Sequence, residues 1–88
     1  MSKLKVLSDS EEQTNTRFIS FTVGSRRYEF AFMKANYFDQ DTLVIDLMGN
    51  RNYLLNHDTL ERKGHIEHVF HMNEMEADQL RDCFQSFL

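Results

Sequence analysis

The stretch TRFISFTVGSRRYEFAFMK, residues 16–34, decides the fold because its apolar residues recur with a period of two. In each half of the stretch one face is entirely apolar, with Ile19, Phe21 and Val23 in the first and Tyr28, Phe30 and Phe32 in the second. The opposite faces carry Phe18, Ser20 and Thr22, and Glu29, Ala31 and Met33. Between the halves, Gly24 to Arg26 form a short turn in which glycine supplies a positive φ. This pattern predicts a β-hairpin.

A second hairpin is predicted where TLVIDLM (42–48) and NYLLN (52–56) flank Gly49-Asn50. A two-residue turn with glycine first is typical of type II′, and it would pair Met48 with Arg51 and Val44 with Leu55. One face of the hairpin then carries Leu43, Ile45, Leu47 and Leu54. The other carries Val44, Met48, Tyr53 and Leu55, with a single charged residue, Asp46.

Both faces of this second hairpin are therefore apolar, whereas a solvent-exposed face of an antiparallel sheet usually carries polar residues. We expect each face to be covered. We predict that the face of Val44, Met48, Tyr53 and Leu55 is an interaction surface, buried by a second copy in a homodimer or by an unknown protein partner.

An amphipathic helix is predicted over NEMEADQLRDCFQSFL, residues 73–88. Asn73 is a favourable N-cap, and Glu76 occupies the third helical position, as in a capping box. One stripe of the helix is apolar and consists of Ala77, Leu80, Cys83, Phe84 and Phe87. We expect this C-terminal helix to pack on one face of the sheet.

The segment HIEHVFH, residues 65–71, fits two structures. Its length and its flanks, Gly64 and Asn73, favour a fifth strand, in which His65 and His71 would lie roughly 20 Å apart and could not share a metal ion. The alternative is a short helix, with Ile66, Val69 and Phe70 on its apolar side and His65, His68 and His71 in line. A metal- or pH-responsive histidine switch is an alternative function for this segment.

These elements predict an α+β domain over residues 16–88, with an antiparallel sheet of about five strands: two hairpins plus a fifth strand. Residues 1–15 are predicted to be a mobile polar tail. Whether HDTLERK, residues 57–63, forms a short helical turn stays open at this stage.

Composition narrows the class of protein. The chain has 88 residues, a net charge of −4 and one cysteine, Cys83. The acidic balance argues against a nucleic-acid coat protein or a membrane-surface binder. A lone cysteine cannot form an internal disulfide, which favours a reducing cytoplasm. The apolar runs are too short for a signal peptide or a membrane span, so we expect no membrane partner.

No catalytic constellation stands out in the sequence. Cys83 lies on the apolar stripe of the helix, where a thiol is inert, and Ser20, Ser25 and Ser86 lack the context of a nucleophile. We therefore expect no enzymatic activity, no cofactor and no metal site. Nucleic acid remains an alternative partner, because three arginines at predicted turns could form a positive patch: Arg26, Arg27 and Arg51.

The order RFISF, RYEFAFMKANYF, LVIDLMGNRNYLL and VFHM, followed by the helix start EMEADQL, resembles a known family. It comprises small uncharacterised single-domain proteins of low-GC Gram-positive bacteria, classed as a domain of unknown function. The resemblance covers roughly residues 17–87. It implies a bacterial cytosolic protein that stands alone, and it carries no activity and no catalytic residues.

Overall fold

The computed structural model describes residues 3–88, and its helices and strands have the α+β architecture that the sequence predicts. A four-stranded antiparallel sheet has the order β1-β2-β3-β4. Its strands are β1 (Asn15–Val23), β2 (Arg26–Lys34), β3 (Thr42–Asp46) and β4 (Arg51–Leu55), with a short 3₁₀ helix at Asn36–Phe38 between β2 and β3. Three helices follow: α1 (His57–Glu61), α2 (His65–Phe70) and α3 (Glu74–Gln85).

The first hairpin is confirmed, with Val23 paired to Arg26 across its turn. The turn consists of Gly24 and Ser25 alone, so it is one residue shorter than predicted. Gly24 has a φ of 61°, the left-handed conformation that glycine adopts without the penalty a Cβ imposes.

The second hairpin is also present, but its turn differs from the prediction. Asp46 pairs with Arg51, so the loop has four residues, Leu47–Asn50, instead of two. The Asp46 side chain causes this, because its Oδ1 accepts hydrogen bonds from the backbone N–H groups of Met48 (3.1 Å) and Gly49 (2.9 Å). The register therefore moves by two residues, which leaves the residues that remain in the strands on their predicted faces, while Leu47 and Met48 lie in the loop.

The predicted fifth strand is wrong, because His65–Phe70 forms the helix α2. Ile66 is fully buried, Phe70 is nearly so, and Val69 packs against the same core. A strand would have placed Val69 on the face opposite to Ile66 and Phe70, whereas helical spacing brings all three to one side. Burial of that apolar side outweighs the low intrinsic stability of so short a helix.

Side-chain caps fix the ends of two helices. At α1, the Asn56 side chain accepts from the Thr59 N–H and the Thr59 hydroxyl accepts from the Asn56 N–H, both at 2.9 Å. This capping box shows that residues 57–61 of the open stretch are helical. At α3, the predicted N-cap is confirmed, since Asn73 Oδ1 accepts from the Glu76 N–H at 2.8 Å.

The helices and one face of the sheet enclose the core. The Phe84 ring of α3 meets the rings of Phe30 and Phe32 edge-on, at centroid distances of 5.2 and 5.1 Å. We call this the covered face; its fully or nearly fully buried strand residues are Val23, Tyr28, Phe30, Phe32, Thr42, Val44 and Leu55. Leu60, Ile66 and Leu80 from the three helices are fully buried against it.

Arg81 of α3 ties the three helices together. Its guanidinium donates to the Leu60 carbonyl of α1 (3.1 Å), to Glu67 of α2 (2.7 Å) and to Asp78 of α3 (2.6 Å). The Arg81 side chain is only 15% exposed, so these bonds are shielded from water more than those of a surface ion pair.

The N-terminal segment, residues 3–14, contains no helix or strand and is exposed. One contact anchors its end: the Glu12 carboxylate accepts from the N–H groups of Asn36 (2.7 Å) and Tyr37 (3.1 Å), at the start of the 3₁₀ helix. The predicted tail also includes residues 1 and 2, which lie outside the described range. Its mobility stays a prediction.

Candidate interaction surface

The sheet face opposite the helices carries a continuous apolar patch. Strand pairing aligns two cross-strand rows on this face. The first row runs Phe18, Ala31, Ile45 and Asn52, and the second runs Thr16, Met33, Leu43 and Leu54. We call the apolar members of these rows the open-face patch: Phe18, Ala31, Met33, Leu43, Ile45 and Leu54.

The side chains of the open-face patch partly shield one another, but no other part of residues 3–88 covers them. Phe18 is 70% exposed and Leu54 is 51% exposed, while Met33, Leu43 and Ile45 are half-buried. Ala31 is only 2% exposed although it lies on this face, because larger side chains flank it on both neighbouring strands. The patch is thus continuous across all four strands.

The charges at one end of the patch neutralise each other. Arg27 Nη2 lies 2.8 Å from Glu29 Oε1, and the Ser20 hydroxyl donates to the same oxygen at 3.2 Å. At the ends of the two rows, Thr16 and Asn52 are polar and uncharged. The open face therefore carries no net charge, although the whole chain carries −4.

The structure corrects the predicted interaction face. Val44 and Leu55 are 0% and 1% exposed within the core. The Tyr53 ring packs on the Phe70 ring, with 4.9 Å between the ring centroids. Of the four predicted residues only Met48 is exposed, and it lies in the loop between β3 and β4. The prediction chose the wrong face because both faces of this hairpin are apolar, and the helices cover the one that continues the aromatic face of β2.

A signal in the first hairpin could have identified the open face. Ser20 and Glu29 share a face with Phe18 and Ala31, and polar residues in a half-covered sheet mark the solvent side. The link to the second hairpin, in which Ala31 pairs with Ile45, depends on the irregular segment 35–41. No turn motif in that segment reveals the register of β2 against β3.

The predicted patch of three arginines does not form. Arg26 and Arg51 line one cavity at the end of the sheet, on the covered side. Arg27 projects to the opposite face, since neighbouring residues of a strand point in opposite directions, and it pairs there with Glu29. Arg27 therefore does not share one surface with Arg26 and Arg51, and nucleic-acid binding stays a prediction.

The histidines of α2 do not converge with other ligands. His65 is half-buried, His68 is exposed, and His71 follows the helix with a φ of 54°. Within residues 3–88, no group of three His, Cys, Asp or Glu side chains is placed to hold a metal ion. Burial raises the pKa of the Cys83 thiol, so this thiol stays protonated at neutral pH and is a poor nucleophile.

Fold and surface together define a small α+β protein with a four-stranded antiparallel meander, one face covered by three helices and the other open. The chain belongs to the SAV0927-like family, whose model matches residues 7–86. This match confirms the resemblance to a family of small proteins of unknown function; the Gram-positive source stays a prediction. A search of the curated proteins found no match. Among the described residues, no helix has the length and apolar character needed to cross a membrane.

Proposed function

We propose that this protein is a non-catalytic interaction module of the bacterial cytoplasm that self-associates through the open-face patch. The observation that carries the proposal is the exposure of Phe18 and Leu54 at two ends of an unbroken apolar surface. Large contiguous exposed apolar patches with a polar rim commonly mark sites of association.

Hydrophobic burial provides the driving force. Full burial of a side chain such as Phe or Leu contributes about 1.5–3 kcal/mol. Phe18 and Leu54 are each more than half exposed in the single chain, so an interface can still bury most of their apolar surface. In a two-fold symmetric interface each residue is buried twice, once in each copy. The half-buried Leu43 and Ile45 add to this area at the centre of the patch.

The charge distribution favours a second copy as the partner. Two chains of net charge −4 repel each other over most of their surfaces. The open face avoids this repulsion, because its Arg27 and Glu29 neutralise each other. A strongly basic or acidic partner would find no complementary charge on this face, whereas an identical neutral face matches it.

Sedimentation equilibrium of the full chain over micromolar to millimolar concentrations tests the proposal. We expect the wild-type protein to reach dimer mass and the double variant Phe18→Glu, Leu54→Glu to remain a monomer. Both residues are exposed within a single chain, so the substitutions leave the monomer fold intact, which circular dichroism verifies.

Met75→Glu is the matched control. Met75 is 73% exposed on α3, remote from the open face, so this substitution changes an exposed apolar residue to a carboxylate without touching the patch. A Met75→Glu protein that dimerises like the wild type supports the proposal. A wild-type chain that stays monomeric throughout the range, or a double variant that still dimerises, overturns it.

A further inference from the structure

A second feature lies at the end of the sheet where the two hairpin turns meet. A cavity of about 260 Å³ opens there on the covered side. The start of β2 contributes Arg26 and Tyr28, the start of β4 contributes Arg51 and Tyr53, and the end of α2 closes the cavity with Phe70. The other lining residues are Asp46, Gly49, Val69 and His71.

Tyr28 is the unusual member of this lining. It is only 7% exposed, and its buried hydroxyl has no hydrogen-bond partner among residues 3–88. Buried polar atoms in folded proteins nearly always have a partner. The partner of this hydroxyl therefore comes from outside residues 3–88 and is either an ordered water or a ligand.

The charged side chains around this hydroxyl indicate which kind of group fits. The Arg26 guanidinium lies over the Tyr28 ring, 5.5 Å from its centroid, and no ion pair within residues 3–88 engages Arg26 or Arg51. Asp46 is the one carboxylate of the lining, and its Oδ1 is already engaged by two backbone N–H groups. With two guanidinium groups and one carboxylate, the charged side chains that line the cavity carry a net positive formal charge.

The Tyr28 hydroxyl can act as a hydrogen-bond donor. Burial raises its pKa, Arg26 acts against this, and the carboxylates of Glu76 and Asp46 raise it further. The phenol consequently stays protonated at neutral pH and is available as a donor. Two guanidinium groups and one hydroxyl donor form a set that binds an oxyanion.

We propose that this cavity binds the phosphate group of a small organic phosphate, held by Arg26 and Arg51 and accepting a hydrogen bond from the Tyr28 hydroxyl. The hydroxyl atom is itself buried and the Arg26 guanidinium lies over the Tyr28 ring, so we expect binding to move the exposed Arg26 side chain from the ring to the ligand. The volume lies just below the range of about 300–1,000 Å³ typical of ligand pockets, so the organic part is small. Tyr53 and Phe70 supply an aromatic wall for it.

The test is an NMR titration of the ¹⁵N-labelled chain with inorganic phosphate and with phenyl phosphate, at ionic strength held constant with sodium chloride. We expect saturable shifts of the amides of residues 26–28, 49–53 and 69–71, with tighter binding of phenyl phosphate. Each of Arg26→Gln, Arg51→Gln and Tyr28→Phe should weaken binding by about tenfold or more, as expected for loss of a hydrogen bond to a charged group.

Arg27→Gln is the control for charge. It removes the same charge from the neighbouring residue, but on the opposite face of the sheet, so binding should be unchanged. Three results would overturn the proposal: no saturable binding of either probe, equal weakening by Arg27→Gln, or full affinity in Tyr28→Phe. Because Arg26 and Arg51 are exposed and the Tyr28 hydroxyl has no partner among residues 3–88, these variants should fold, and amides remote from the cavity report whether they do.

Discussion

The two faces of the sheet come from the same strands but differ in what covers them. On the covered face, Phe30 is fully buried and its ring contacts those of Phe70 and Phe84 from two helices. On the open face, Phe18 is 70% exposed and has no such contacts. The difference teaches that an apolar strand face needs a cover, and that residues 3–88 supply a cover for one face. The other cover, by our proposal, is a second chain.

Phenylalanine truncation should separate the faces most strongly. Phe30→Ala leaves a cavity among at least three aromatic rings, and we expect it to lower the free energy of unfolding by about 3–5 kcal/mol. For a domain of this size such a loss approaches the total stability. Phe18→Ala, the matched control, should cost less than about 1 kcal/mol in a monomeric background, since the ring is mostly exposed. Urea denaturation measures both; equal losses would contradict the distinction between the faces.

The ion pairs made by Arg81 and by Arg27 give a smaller contrast of the same kind. Arg81→Ala removes donors to Glu67 and to the Leu60 carbonyl beneath the helices, and we expect a loss of about 1–3 kcal/mol. Arg27→Ala breaks the exposed pair with Glu29 on the open face and should cost at most about 1 kcal/mol. Urea denaturation measures both losses. If Arg27→Ala lowered the free energy of unfolding as much as Arg81→Ala does, the result would argue against the shielding of the Arg81 bonds from water.

The loop between β3 and β4 should give the smallest effect. A Cβ at residue 49 would lie 2.6 Å from Asp46 Oδ2, and moving that carboxylate would disturb its two bonds to the loop backbone. We expect Gly49→Ala to cost about 1 kcal/mol. In an Asp46→Ala background the same substitution should cost less, because the clash is gone. Thermal melts of the four proteins of this cycle measure the coupling, and strictly additive losses would contradict the contact.

The sequence predicted the hairpins and the division of residues between faces, because alternation and turn glycines are local signals. An error of two residues in the register of the second hairpin did not mix its faces, since a shift by an even number preserves them. The helix α3 was predictable from Asn73 and its apolar stripe. These signals lie within one element or one turn.

The features that the sequence did not predict depend on contacts between distant segments of the chain. The length and flanks of the α2 segment favour a strand, and its burial against α1 and α3 selects the helix instead. The choice of covered face depends on how β2 aligns with β3 across residues 35–41, which no local pattern specifies. The cavity of Arg26 and Arg51 could not be foreseen either, because it requires both hairpin turns to meet at one end of the sheet.

The most direct test of the central claim is an isotope-filtered NOE measurement on an equimolar mixture of ¹³C-labelled and unlabelled chains. If a second copy covers the open face, intermolecular NOEs should connect the methyl groups of Leu43, Ile45 and Leu54 with the ring of Phe18 in the other copy. Methyl groups of the covered face, such as those of Val44 and Leu55, should show none. Intermolecular NOEs from the covered face, or none from the open face at concentrations where the chain is dimeric, would contradict the account.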